Sequence, residues 1–267
     1  MTTDTGAQLR ALYEKEGGVR SIFSAKVADY VSSRPDYPVA LFQQLHDACN
    51  LGPTSVVVDV GSGTGLLTHG LLLRGYTVVA VEPSQPMREA ADRLLVGFKG
   101  YRSVDGCAER IPLAASSVDL ITAATAFHWF EVGAARLECL RVLRPNGQVA
   151  LIWNDRLKSS PVHQALDGVF AEYGGTKRNA LIAHEERGDI SAFFGKTVPK
   201  EFVWPHQHVI NEAGLLSLVF SRSYMPDRDS AHGVEVVNQV REIYRRFSSA
   251  NGLIVPYQTV VYLGRPS

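Results

Sequence analysis

One stretch limits the folds open to this chain more than any other. Residues 55–65, SVVVDVGSGTG, run a string of β-branched residues into three glycines, and 65–74, GLLTHGLLLR, then carry leucines at helical spacing. A continuous apolar run is what a strand buried on both faces needs. The unit recurs. TVVAVE (77–82) predicts a second buried strand, and Ser84 caps a helix to about 97 with Pro86 tolerated in its first turn. YRSVDG (101–106), VDLITAA (118–124) and GQVALIW (147–153) predict three more strands. The helix at 133–144 is expected to turn Leu137, Leu140 and Leu143 inward. Strands alternating with helices predict an α/β fold: a doubly wound, mostly parallel sheet with helices on both faces.

The ends of the chain read differently. Residues 7–16 and 24–33 predict short helices, broken by Gly17 and Gly18, and RPDYP (34–38) stops helix before another at 39–49. Residues 157–195 are helix-like, with 172–179, EYGGTKRN, expected as a mobile loop. EFVWPHQHVI (201–210) reads as a strand that Pro205 pushes to a sheet edge. Helices at 211–223 and 235–247 precede a final strand at 253–264. This predicts four segments: N-terminal helices (1–50), a Rossmann-like core (51–155), a helical insertion with an edge strand expected as a lid (156–232), and a closing helix and strand (233–267).

Lysine plus arginine and aspartate plus glutamate each total 27, so charge offers no global argument for nucleic acid. The three cysteines, Cys49, Cys107 and Cys139, form no C-x-x-C pair and suit small buried hydrophobes in a reducing compartment. MTTDTGAQLR has no signal-peptide core, and no window has the roughly 20 apolar residues of a membrane helix. A cytoplasmic protein without membrane insertion is expected.

The turn after the first strand of such a sheet lies where ligands bind. Gly61, Gly63 and Gly65 give G-x-G-x-G rather than the dinucleotide-binding G-x-G-x-x-G, and Asp59 stands two residues before the first glycine. A carboxylate there repels a pyrophosphate and suits a ligand with an ammonium group. Glu82, ending the second strand, can accept both hydroxyls of a ribose.

VVDVGSGTG (57–65), VVAVEPS (78–84), DGCAERIPL (105–113), VDLITAATAFHWF (118–130) and LRVLRPNGQVALIWN (140–154) together resemble the class I S-adenosylmethionine-dependent methyltransferases. FSAKVADYVSSRPDYP (23–38), AFHWF and YQTVVYLGR (257–265) resemble the small-molecule branch around the trans-aconitate and ubiquinone-pathway enzymes. The resemblance implies a Rossmann-like seven-stranded sheet with its last strand antiparallel. It also implies S-adenosylmethionine as cofactor, S-adenosylhomocysteine as product and a small molecule as acceptor. Asp59, Gly61, Ser62 and Gly63 would line the methionine half and Glu82 the ribose. Met87 would pack against the adenine, with Cys107 and Ala108 at its edge, and Pro83 would belong to the same cofactor site. Ala124 would lie beside the sulfonium, and Tyr30 and Arg34 would close over the cofactor, Arg34 toward its carboxylate. Many relatives carry an acidic residue where this chain has Cys107.

Methyl transfer from a sulfonium asks the protein to position, desolvate and deprotonate the acceptor. His128, just past the fourth strand, is the candidate general base, or else a packing element. Phe127, Trp129 and Trp153 are candidate acceptor-pocket walls or core, and Tyr13, Tyr173 and Tyr224 could reach the pocket from a lid. His206 and His208 share a strand face without a third ligand, and HEERG (184–188) is not H-E-x-x-H, so no metal is expected. A nicotinamide oxidoreductase and a catalytically silent cofactor-binding scaffold are the rival readings. A nucleic-acid methyltransferase is disfavoured: the fourth strand ends in ATAFHW, not an Asn/Asp-Pro-Pro-aromatic loop.

Overall fold

The computed structural model describes residues 11, 26–185 and 189–267. The expected helix at 7–16, Tyr13 and most of HEERG lie outside the described residues, as does the side chain of Tyr30. The elements are α1 (Val27–Ser33), α2 (Val39–Cys49), β1 (Val56–Val60), α3 (Leu66–Leu72), β2 (Thr77–Val81), α4 (Gln85–Leu95), β3 (Tyr101–Val104) and β4 (Val118–Ala124). A single 3₁₀ turn at Phe127–Trp129 precedes α5 (Val132–Val142) and β5 (Leu143–Arg156). Then come α6 (Pro161–Tyr173), α7 (Gly175–Glu185), α8 (Asp189–Phe194), β6 (Lys200–Ile210), α9 (Glu212–Phe220), α10 (Ala231–Phe247) and β7 (Leu253–Gly264).

The seven strands lie in the order β3-β2-β1-β4-β5-β7-β6. Parallel pairing runs from β3 to β5, and the last strand closes the sheet antiparallel. The order reverses at β1, which pairs β2 through Val58↔Val79 and β4 through Val58↔Ile121. A crevice opens at such a reversal, beyond the carboxyl ends of the strands. Pro205 sits in β6, at the sheet edge, where its missing N–H costs no ladder bond.

Successive residues of the central strands face opposite sides of the sheet, and helices cover both sides. Val58, Val60, Val79, Ile121 and Leu151 face a layer built from α5 and α8, with Ala135, Cys139, Val142, Phe193 and Phe194. Val57, Val78, Leu120, Ala150 and Ile152 face the opposite layer, with Leu41 and Leu45 of α2, Leu67 and Leu71 of α3, and Ala91 and Leu95 of α4. Both faces are therefore dry.

By packing, the described residues form two units. One holds those of Met1–Asp36, Asp155–Glu185 and Pro205–Gln258; the other holds Tyr37–Asn154, Glu186–Trp204 and Thr259–Ser267. The first has its own core of Leu166, Phe170, Leu215, Phe220, Val236, Val240 and Val255. Lys26 Nζ donates to the carbonyls of Phe220 and Met225 (3.1 and 3.0 Å), placing a cation at the carboxyl end of α9.

Three expectations are corrected. Leu137 points outward, 64% exposed, because α5 buries Ala135, Cys139 and Val142, and two residues of helix turn Leu137 to the far side. Residues 172–173 and 175–179 are helical rather than a loop. The chain redirects at Gly174 and Gly175, the latter at φ +55°, which glycine adopts without Cβ strain. β5 is also longer than 147–153, because LRPNG pairs on from Val118↔Leu143 across a register irregularity.

Candidate cofactor site

The site builds up around the end of β1. Gly61, Gly63 and Gly65 all have positive φ (+66°, +56° and +85°). A Cβ on Gly61 would stand 2.5 Å from the Cβ of Ala126, so the turn tolerates only glycine where it passes the loop after β4. The N–H groups of Gly61 and Ser62 both donate to the Val81 carbonyl (2.8 and 3.2 Å). That contact fixes the turn against the end of β2.

Glu82 follows at once and is 8% exposed. Its Oε2 accepts from the Gly63 N–H (3.0 Å) and its Oε1 from the Ser84 N–H (2.8 Å). Its carboxylate is thus locked between the glycine turn and the first turn of α4. Met87 is buried beneath. The Ser84 hydroxyl is buried with no hydrogen-bond partner among the described residues.

Asp59 is 1% exposed inside the sheet. Thr122 of β4 and Thr68 of α3 donate to its two oxygens (2.8 and 2.7 Å). Burial pushes its carboxyl up to about 6, against the pull of both threonine hydroxyls and with the Glu82 charge adding to the rise. The sequence reading missed both threonines; their signal is position alone, because Thr122 is the β4 residue in register with Asp59.

The loop after β3 is tied down at three points. Arg88 Nη1 reaches Asp105 (3.3 Å) and the Glu82 carbonyl (2.6 Å). Glu109 accepts from the Glu131 N–H (2.6 Å), joining the loop to the start of α5. Glu138 accepts from the Ile111 N–H (2.7 Å), while Arg141 donates to the Ile111 carbonyl (2.9 Å) and holds the Glu138 carboxyl below its usual range. Cys107 and Arg110 exchange backbone hydrogen bonds across the tight turn (3.3 and 3.1 Å), and Ala108 is buried. Burial, then Glu109, raises the Cys107 thiol, so it is a neutral group.

Past Ala124, Thr125 takes φ +53° and donates to the Ile152 carbonyl (2.8 Å). This kink launches the 3₁₀ turn that carries Phe127, His128 and Trp129. Phe127 is buried in the core, its ring 5.6, 6.2 and 5.3 Å from those of Phe130, Trp153 and Phe193. His128 is half-buried with its ring 4.8 Å from that of Trp129, itself half-buried. The sheet unit therefore brings together Asp59, Gly61, Ser62, Gly63, Glu82, Pro83, Met87, Cys107, Ala108 and Ala124 at the carboxyl ends of β1 to β4. Tyr30, Arg34, Tyr173 and Tyr224 belong to the other unit, where the Arg34 charge acts on the buried Tyr257 phenol.

A glycine turn after the first strand and an acidic residue just past the second stand together at the carboxyl edge of this α/β sheet. The comparisons are specific. Residues 58–151 match the model of a methyltransferase domain. An uncharacterised methyltransferase of Mycobacterium tuberculosis is 31% identical over 247 residues, covering 89% of this chain and 93% of that protein. A methyltransferase-like protein of Schizosaccharomyces pombe is 33% identical over 241 residues, covering 90% and 93%. The solved structure of a candidate type II methyltransferase from Anaeromyxobacter dehalogenans superposes with a TM-score of 0.61 at 23% identity, covering 88% of this chain and 99% of that one. The chain belongs to the class I S-adenosylmethionine-dependent methyltransferases. Among the described residues, no helix is long and apolar enough to cross a membrane.

Proposed function

We propose that this protein binds S-adenosylmethionine at the 61–65 turn and transfers its methyl group to a small-molecule acceptor. The observation that carries the reading is the Glu82 carboxylate, locked by the Gly63 and Ser84 N–H groups beside a turn that only glycine can make. Two further features fit the cofactor. The Ser84 hydroxyl is an orphaned buried polar group at the N-cap of α4, beside Glu82, and Asp59 is a buried carboxylate whose charge a cationic ligand would offset.

In this reading Glu82 holds the ribose hydroxyls. Pro83 and Met87 back the adenine, and Cys107 and Ala108 meet its edge. Asp59 with Gly61, Ser62 and Gly63 receives the ammonium-bearing half, beside Ala124. The bound cofactor supplies a methyl group already activated on a sulfonium. The chain's task is to orient an acceptor, exclude water, and take a proton where the acceptor carries one; His128 is the proposed base and Trp129 and Trp153 the proposed walls, with Phe127 behind them. Arg34 and Tyr30 are proposed for the cofactor's carboxylate end, and 156–232 as the enclosing element.

The test is a melting experiment followed by turnover. S-adenosylhomocysteine should raise Tm in a concentration-dependent way, and NAD should not. Labelled methyl should then pass from the cofactor to an acceptor in an extract of small molecules. Stabilisation by NAD alone would overturn the reading; cofactor binding with no transfer to any acceptor would make the protein a silent scaffold. Hydrogen exchange on cofactor addition tests enclosure, which protection confined to 57–125 would reject.

A further inference from the structure

The two walls of the proposed adenine slot come from different elements. One is the end of β2 with the first turn of α4, from Glu82 to Met87. The other is the loop after β3, Asp105 to Ala108. Backbone pairing between β2 and β3 ends at their strand termini, where the Glu82 N–H donates to the Val104 carbonyl (3.2 Å). Beyond that point the two segments are joined by a side chain. Arg88, on the first full turn of α4, puts one nitrogen, Nη1, on both the Glu82 carbonyl (2.6 Å) and Asp105 Oδ1 (3.3 Å). The guanidinium is mostly buried, its side chain 18% exposed, whereas Asp105 is 54% exposed.

We infer that Arg88 is a positioning residue for the nucleoside half of the cofactor. This rests on the assignment of Glu82 and the 105–108 loop to that half. A guanidinium is always charged and can serve two acceptors from a rigid plane, which an ammonium on a flexible stem does less well. Here it fixes the spacing between the residue that grips the ribose and the backbone that meets the adenine edge. The slot depends on that spacing more than on side-chain contacts, because Cys107 is a neutral thiol in this chain. Arg88 touches neither ring nor sugar in this account; it acts through Glu82 and Asp105.

The test is calorimetric titration of the full chain with two ligands, S-adenosylhomocysteine and 5′-methylthioadenosine, which lacks the amino-acid half. Arg88→Ala, which removes both of its contacts and so loosens the spacing of the slot, should weaken both by the same factor, about tenfold. Arg88→Lys should recover part of the loss, and Asp105→Asn should weaken binding less than Arg88→Ala, since it leaves the Glu82 contact intact. Among turnover constants, KM for S-adenosylmethionine should rise with kcat nearly unchanged. Equal affinities in wild type and Arg88→Ala would overturn the inference. So would a loss confined to S-adenosylhomocysteine, or a fall in kcat and Tm that Arg88→Lys does not relieve, which marks a residue that merely holds the fold. A wild-type protein that binds neither ligand would instead remove the cofactor assignment on which the inference stands.

Discussion

Replacing Asp59 by Asn is expected to stabilise the protein at neutral pH while weakening its grip on the cofactor. The carboxyl is fully buried and its pKa is raised from 3.8 to about 6. A raised acid in the folded state means that the unfolded chain ionises first as pH rises. Below 3.8 both states are protonated and nothing is lost. Between 3.8 and about 6 stability falls by about 1.4 kcal/mol per pH unit, and above 6 the loss is constant at about 3 kcal/mol. Asparagine never ionises, and its amide can still meet both threonines, because Thr68 and Thr122 hydroxyls either donate or accept. Asp59→Asn should therefore be about 1–3 kcal/mol more stable at pH 7.5. Urea unfolding of both proteins from pH 4 to 8 measures this. The difference between them should grow from pH 4 to 6 and then level off. A difference flat with pH, or a variant less stable at pH 7.5, would refute the reasoning.

Two other outcomes follow from individual histidines. His163 is fully buried; its Nε2–H donates to the Pro256 carbonyl (2.6 Å), and burial, then the Arg156 and Arg222 charges, lower its pKa. The unfolded chain takes up the proton first, so stability should drop as pH falls through 6.5, and His163→Gln, which keeps a donor, should flatten that drop in melting curves recorded from pH 7.5 to 5. If His128 is the general base, both His128→Ala and His128→Asn should lower kcat by about 10²–10⁴-fold with cofactor affinity kept; a stable Asn variant with near-normal turnover would leave it as packing.

The central strands were legible because they are buried on both faces and so carry a nearly unbroken apolar signal. VDLITAA and LIVPYQTVVYLG match β4 and β7 residue for residue. Helices were placed more surely than their faces. α5 has apolar residues around much of its circumference, so sequence alone turned Leu137 inward, whereas packing chose the side with Ala135 and Cys139. A pair of glycines at 174–175 signals a break equally for a loop and for a one-residue redirection between helices, and only the neighbouring turns decide. The glycine turn and the acidic residue just past β2 were readable as positions because residue type and spacing mark both. Thr68, Thr122, Arg88 and Glu109 were not, since each acts through a partner at least nine residues or an entire strand away, or through a backbone carbonyl that no side-chain pattern reveals.

The central claim is that Glu82 and the 61–65 turn hold S-adenosylmethionine. Calorimetric titration of wild type and Glu82→Gln with S-adenosylhomocysteine tests it most directly. Charge-assisted hydrogen bonds to the ribose are worth about 1.5–3 kcal/mol each, so the variant should bind at least tenfold more weakly than a wild type that binds well. A wild-type protein that gives no binding heat, or a variant whose Kd is unchanged, would contradict the account.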